Sequence, residues 1–178
     1  VDDTQIDLQV TAFIPAEWIV NNEEKIAAYR SATECNSQGE LAELAAGWID
    51  RYGLLPTPVE QLLEIMKLKL LARNCGFTRI KQQKNNLILE TPMEEPAFRL
   101  LRKGLPQHLH GRFVYQNNNS GNGHVYARGL GVLASSKQVE QLVEWLSLMT
   151  EEIPDDDGLT KKEQLELVKK NNDKVIIL

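Results

Sequence analysis

The sequence predicts an α+β fold in which N-terminal helices pack on a small antiparallel sheet and a long C-terminal helix follows. Three observations predict it. Apolar residues recur at helical spacing between residues 23 and 75. Two pairs of short apolar-rich segments, 77–91 and 112–128, are each joined by a turn-forming stretch rich in Asn or Gly. A last helical period then runs from Ser135 to Met149. Helices come first and strands later, which is the α+β order rather than the alternation of a parallel βαβ fold. At 178 residues, 42% hydrophobic and 25% charged, the chain has the length of one domain and enough apolar material for a core.

Along the chain, Ile6, Leu8 and Val10 alternate with Asp7 and Gln9, the pattern of a half-buried strand. Phe13, Ile14, Pro15 and Trp18 make an irregular apolar stretch, so residues 1–20 read as an extended lead-in with one strand. A helix over 23–33 takes Asn22 as its N-cap. Ser37 and Glu40 form a capping box that opens the next helix. Leu41, Leu44, Ala45, Trp48, Ile49 and Tyr52 give that helix one buried face, and Gly53 stops it. Thr57, Pro58 and Glu60 predict a third, capped helix running to Gly76, apolar around more than half its circumference and hence central to the core. A hairpin follows, with its turn at Asn85–Asn86. Residues 94–103 read as a short helix. Strands at 112–116 and 124–128 flank the polar loop Asn117–Gly123. Ser135 or Ser136 caps the last helix, whose Val139, Leu142, Val143, Leu146 and Met149 share a face. Residues 21–150 are thus the folded domain, and 151–178 read as an acidic, mobile tail.

The net charge of −5 is distributed unevenly. Residues 1–50 carry ten acids and two bases, residues 51–150 seven acids and thirteen bases, and residues 151–178 eight acids and five bases. The overall acidity argues against a general nucleic-acid binder. Two distant cysteines make no disulfide framework, no apolar run spans a bilayer, and the acidic N-terminus is no signal peptide, so a cytoplasmic setting is expected.

Catalytic constellations are hard to find. The sequence never contains Gly-Lys, which excludes a Walker phosphate cradle. His108, His110 and His124 would hold zinc only if the fold made them converge, and no Cys-x-x-Cys supports that. Cys35 and Cys75 lack the cationic neighbours that activate a thiol, and Cys75 reads as a small core residue. Arg73, Arg79, Lys81, Lys84, Arg99, Arg102 and Lys103 form a basic middle that phosphates could use, without the interleaved aromatics of a single-strand binder. The second helix carries Glu40, Glu43 and Asp50 opposite its apolar stripe, with Gly47 in the same row. Such a row is either a solubilising face or a surface for a basic partner, which would relieve its self-repulsion.

The segments AFIPAEWI, EKIAAYR and ELAELAAGWIDRYGLLPTPVEQLLEIMKLKLLARNCGF, and above all Ile49–Val59, resemble the C-terminal domain of the bacterial transcription-repair coupling factor, Mfd. The resemblance covers roughly Ile6 to Met149 and leaves the tail unplaced. It implies a non-catalytic, autoinhibitory module of an ATP-dependent DNA translocase. No cofactor is expected in this domain; ATP and Mg belong to the parent motor. The implied partner is the UvrB-like N-terminal domain of the same parent chain, where the module covers the UvrA-docking surface. UvrA, RNA polymerase and DNA are indirect partners, and no membrane is involved. Asp50 falls on the family's acidic contact helix, with Glu40 and Glu43 on the same face. Gly47 stands where relatives often carry Glu, removing one expected ion pair. The alternative is a module that contacts DNA or RNA polymerase directly through the basic middle.

Overall fold

Caps and glycines divide the N-terminal half into three helices. The protein is described by a computed structural model over residues 3–118 and 122–152. Helix α1 spans Asn22–Glu34, and its cap is Asn21, whose side chain accepts the Glu24 N–H at 3.0 Å. The expected cap, Asn22, is already the first helical residue. Helix α2 spans Gln38–Tyr52 and opens as expected. The Ser37 Oγ accepts the Glu40 N–H at 3.1 Å, and the Glu40 carboxylate accepts the Asn36 N–H at 2.6 Å. Helix α3 spans Thr57–Cys75, and here the expected capping box does not form. Pro56 is the cap, so Thr57 sits inside the first turn, and the Val59 and Glu60 N–H groups return to the Pro56 carbonyl instead. Gly53 (φ +91°) and Gly76 (φ +94°) end α2 and α3 in backbone conformations that side chains resist.

The sheet has five strands: β1 (Gln5–Asp7), β2 (Arg79–Gln83), β3 (Asn86–Thr91), β4 (Phe113–Asn117) and β5 (Gly123–Ala127), in the order β1-β2-β3-β5-β4. The four later strands pair antiparallel, as expected. β1 joins them in parallel, with Ile6 opposite Ile80, so the sheet is mixed. Three helices intervene between β1 and β2, and that long connection permits a parallel pairing. The hairpin turn is Lys84–Asn85 rather than Asn85–Asn86, and Lys84 takes the positive φ of +53°. Helix α4 (Glu95–Arg102) follows β3. Helix α5 (Ser135–Met149) is capped by Ala134, not by Ser135 or Ser136, and the Lys137 and Gln138 N–H groups bond the Ala134 carbonyl. Part of the loop after β4, and the tail beyond Glu152, lie outside the described residues.

Two apolar clusters hold these elements. In the larger, Ile80, Leu87, Leu89, Phe113, Val125 and Ala127 on one sheet face meet Leu68, Leu71 and Ala72 of α3 and the predicted stripe of α5. In the smaller, Ile14 and Ile19 of the lead-in meet Ala28 and Ala32 of α1, Trp48 of α2, and Val59 and Leu62 of α3. α3 therefore belongs to both, which is why it is apolar around so much of its surface. Within α2, Leu41 and Trp48 are buried and Leu44 and Tyr52 partly so, but Ile49 is exposed. It lies one position beyond Trp48, past the edge of the stripe that α1 and α3 cover.

Candidate functional site: the outward face of the second helix

With Leu41 and Trp48 turned into the core, α2 presents Glu40, Glu43, Gly47 and Asp50 to solvent, all exposed. Ten residues separate the ends of this row, roughly 15 Å at the helical rise. The three acids are not equivalent. Glu40 is engaged in the cap of its own helix. Together with burial, the larger cause, its charge also raises the Cys35 thiol above its ordinary value. Glu43 and Asp50 have no hydrogen-bond or ion-pair partner among the described residues. A Cβ built at Gly47 meets no atom within 4 Å, so the row has a bare step between them.

The row is backed by contacts of α2 with α1 and the lead-in. Beside Asp50, the Arg51 guanidinium holds the Glu24 carboxylate of α1 at 2.7 Å, and the Tyr52 hydroxyl donates to the same carboxylate at 3.2 Å. Arg51 also lies over the Tyr52 ring at 5.2 Å. Behind it, Trp18 packs edge-on to Trp48 at 6.1 Å and against Tyr52 at 5.3 Å. This Glu24–Arg51–Tyr52 cluster was not singled out from the sequence, since α1 and α2 are brought together only in the tertiary fold, where they share the smaller apolar cluster with α3 and the lead-in.

The other expected chemistry is dispersed. His108 and His110 lie on a 3-10 turn (Gln107–Arg112), where His110 Nε2 is 2.8 Å from the Leu105 carbonyl. His124 is on β5, 3.7 Å from Glu90. Among the described residues, no three His, Cys, Asp or Glu side chains are grouped to hold a metal. Cys75 is buried, and burial pushes its thiol up to about 12. It lines an open, mainly apolar groove of about 810 Å³ with Met93, Leu100, Leu101 and Met149, where Lys103 is the only cation among the described residues. Much of the basic middle is paired internally: Arg79 with Asp7, Lys81 with Glu90 at 3.3 Å, and Arg99 with Glu95 at 2.9 Å. Arg102 donates to the Phe113 carbonyl at 3.2 Å. Two further cations, Arg112 and Arg128, have no carboxylate within 4 Å among the described residues. No described helix is long and apolar enough to cross a membrane.

Known proteins resemble this chain in fold and, over about half its length, in sequence. Residues 8–98 match the family model of the TRCF domain. A transcription-repair-coupling factor of Mycobacterium bovis is 31% identical over 94 residues, and one of Staphylococcus haemolyticus is 32% identical over 81. These alignments cover 53% and 46% of this chain but only 8% and 7% of the relatives, so the chain spans a small part of their length. A crystal structure of the C-terminal domain of a transcription-repair coupling factor superposes with a TM-score of 0.65 over 83% of this chain and 92% of that one. Its 19% identity speaks for the fold alone. The family match takes in all of α1, α2 and α3 with the hairpin behind them, and so includes the whole acidic row; the chain belongs to the TRCF domain family.

Proposed function

We propose that this domain is a non-catalytic regulatory module of an ATP-dependent DNA translocase in transcription-coupled repair. It docks the α2 row on basic side chains of the UvrB-like domain of the parent chain, covers the UvrA-docking surface there and restrains the motor. The observation that carries the proposal is the pair Glu43 and Asp50, exposed on α2 and without a hydrogen-bond or ion-pair partner among the described residues. Charge-assisted contacts to arginine, once partly desolvated, contribute on the order of 1–3 kcal/mol each. Glu40 is the weaker contributor, because its carboxylate already serves the helix cap. The alternative, direct contact with DNA or polymerase through the basic middle, draws less support, since Arg79, Lys81 and Arg99 already have carboxylate partners.

The test is Asp50→Arg in the full-length parent. The variant is expected to raise basal ATPase activity and UvrA capture together. Wild-type values for both would show that the acidic row is not the clamp.

A further inference from the structure

The groove beside Gly111 points to a second interaction surface. No Asp or Glu occurs between Glu95 and Glu140, while six Lys or Arg residues do. Within that stretch the fold builds an open groove of about 660 Å³, lined by Arg112, Arg128, Val132 and Leu133 with the backbones of Gly111 and Gly129. The two arginines are set side by side by the sheet's end, where the Arg128 N–H donates to the Arg112 carbonyl at 2.8 Å. The Arg112 guanidinium lies against the Trp145 ring at 5.3 Å. An Arg128 Nη1 reaches the Gly111 carbonyl at 3.5 Å, the outer limit of a hydrogen bond. The forks are thus partly oriented before any partner arrives, which lowers the cost of bidentate binding.

The apolar lip is as informative as the charge. Val132 is 70% exposed and Leu133 40% exposed, next to Leu130, which is buried. The turn that carries them is pinned. Gly131 donates to the Asn85 carbonyl at 2.9 Å, and its own carbonyl accepts from the Gln82 side chain at 3.0 Å. A Cβ at Gly131 would fall 2.4 Å from the Lys84 carbonyl oxygen, so the two turns are in direct contact. The apolar side chains are therefore held out into solvent by a rigid turn.

We infer that this groove docks an acidic protein segment, with carboxylates on Arg112 and Arg128 and a large apolar side chain on Val132 and Leu133. A phosphodiester backbone would use the arginines but offers nothing to the apolar lip, and among the described residues no aromatic ring lines the groove to stack a base. Arginine forks beside apolar contacts are the composition of protein interfaces. The site is separate from α2 and does not depend on the clamp proposed above.

The experiment measures fluorescence anisotropy of a labelled decapeptide of aspartate pairs alternating with leucines, titrated with the 178-residue chain. Saturable binding is expected. Arg128→Glu should weaken it by roughly tenfold, the scale of one charge-assisted pair. Val132→Asp, or a peptide with serines for leucines, should weaken it several-fold. Asp50→Arg should leave it unchanged, which separates this site from the α2 clamp. Arg128 and Val132 are exposed, so both variants should keep the wild-type melting temperature. Absent saturable binding, equal binding of the serine peptide, or a DNA duplex that binds more tightly than the peptide and is indifferent to Val132→Asp would each overturn the proposal.

Discussion

A Cβ at Gly47 would enter open space, and the surrounding backbone is ordinary helix, so α2 does not need glycine there. Gly47→Ala should therefore raise the unfolding free energy by about 1 kcal/mol, the helix-propensity difference, in a denaturant titration. An unchanged value would mean that the unfolded chain or a fraying helix absorbs the gain. The two cysteines divide by burial. Cys75 is held neutral by burial, which lifts its thiol from an ordinary 9.0 to about 12. A raised value means that its contribution to stability is complete below pH 9 and is lost as pH climbs from there toward 12. In the native state at mildly alkaline pH, a thiol reagent should modify Cys35 and spare Cys75 until denaturant is added; mass spectrometry of the labelled peptides reads the difference. The fate of Cys75 was legible in the sequence, because it ends a strongly apolar helix. The exposure of Ile49 was not, because only the placement of α1 and α3 defines the edge of the stripe they cover.

Among the helices, those with apolar periods were legible in kind and approximate length, while the caps of α1, α3 and α5 were not. Ser37 caps α2 as its sequence predicts, yet Thr57 and Ser135 lie one residue inside their helices and cap nothing. The difference is physical. A carbonyl on the preceding residue, Pro56 or Ala134, accepts the first N–H groups just as a side chain would. Ser37→Ala should thus cost about 1 kcal/mol. Thr57→Ala should stay within roughly 0.5 kcal/mol, as at an ordinary surface position. Equal losses in thermal melts of the two variants would contradict this assignment. The hairpin shows the same limit at its turn. Asn tolerates positive φ, but the pairing of Gln83 with Asn86 leaves Lys84 to adopt it.

At the scale of the molecule, α3 belongs to both apolar clusters, so neither half is expected to unfold alone. Trp18 and Trp48 report the helical cluster and Trp145 the sheet cluster. Denaturation of Trp145→Phe, followed through the first two, should match that of a Trp18→Phe, Trp48→Phe double variant once each is corrected for its own stability by circular dichroism. Non-coincident transitions would show two separately folding units. The α+β class, the helical order, the hairpin, the core stripe of α5 and the acidic row were determined by the sequence, because periodicity, turn residues and charge are local properties. The parallel docking of β1, the brace of Arg51 on Glu24 and the alignment of Arg112 with Arg128 were decided only by the tertiary structure. Each joins residues or elements that no local pattern links, and what brings them together is burial of a shared apolar face, whose driving force is proportional to area and carries no sequence signature of its partner.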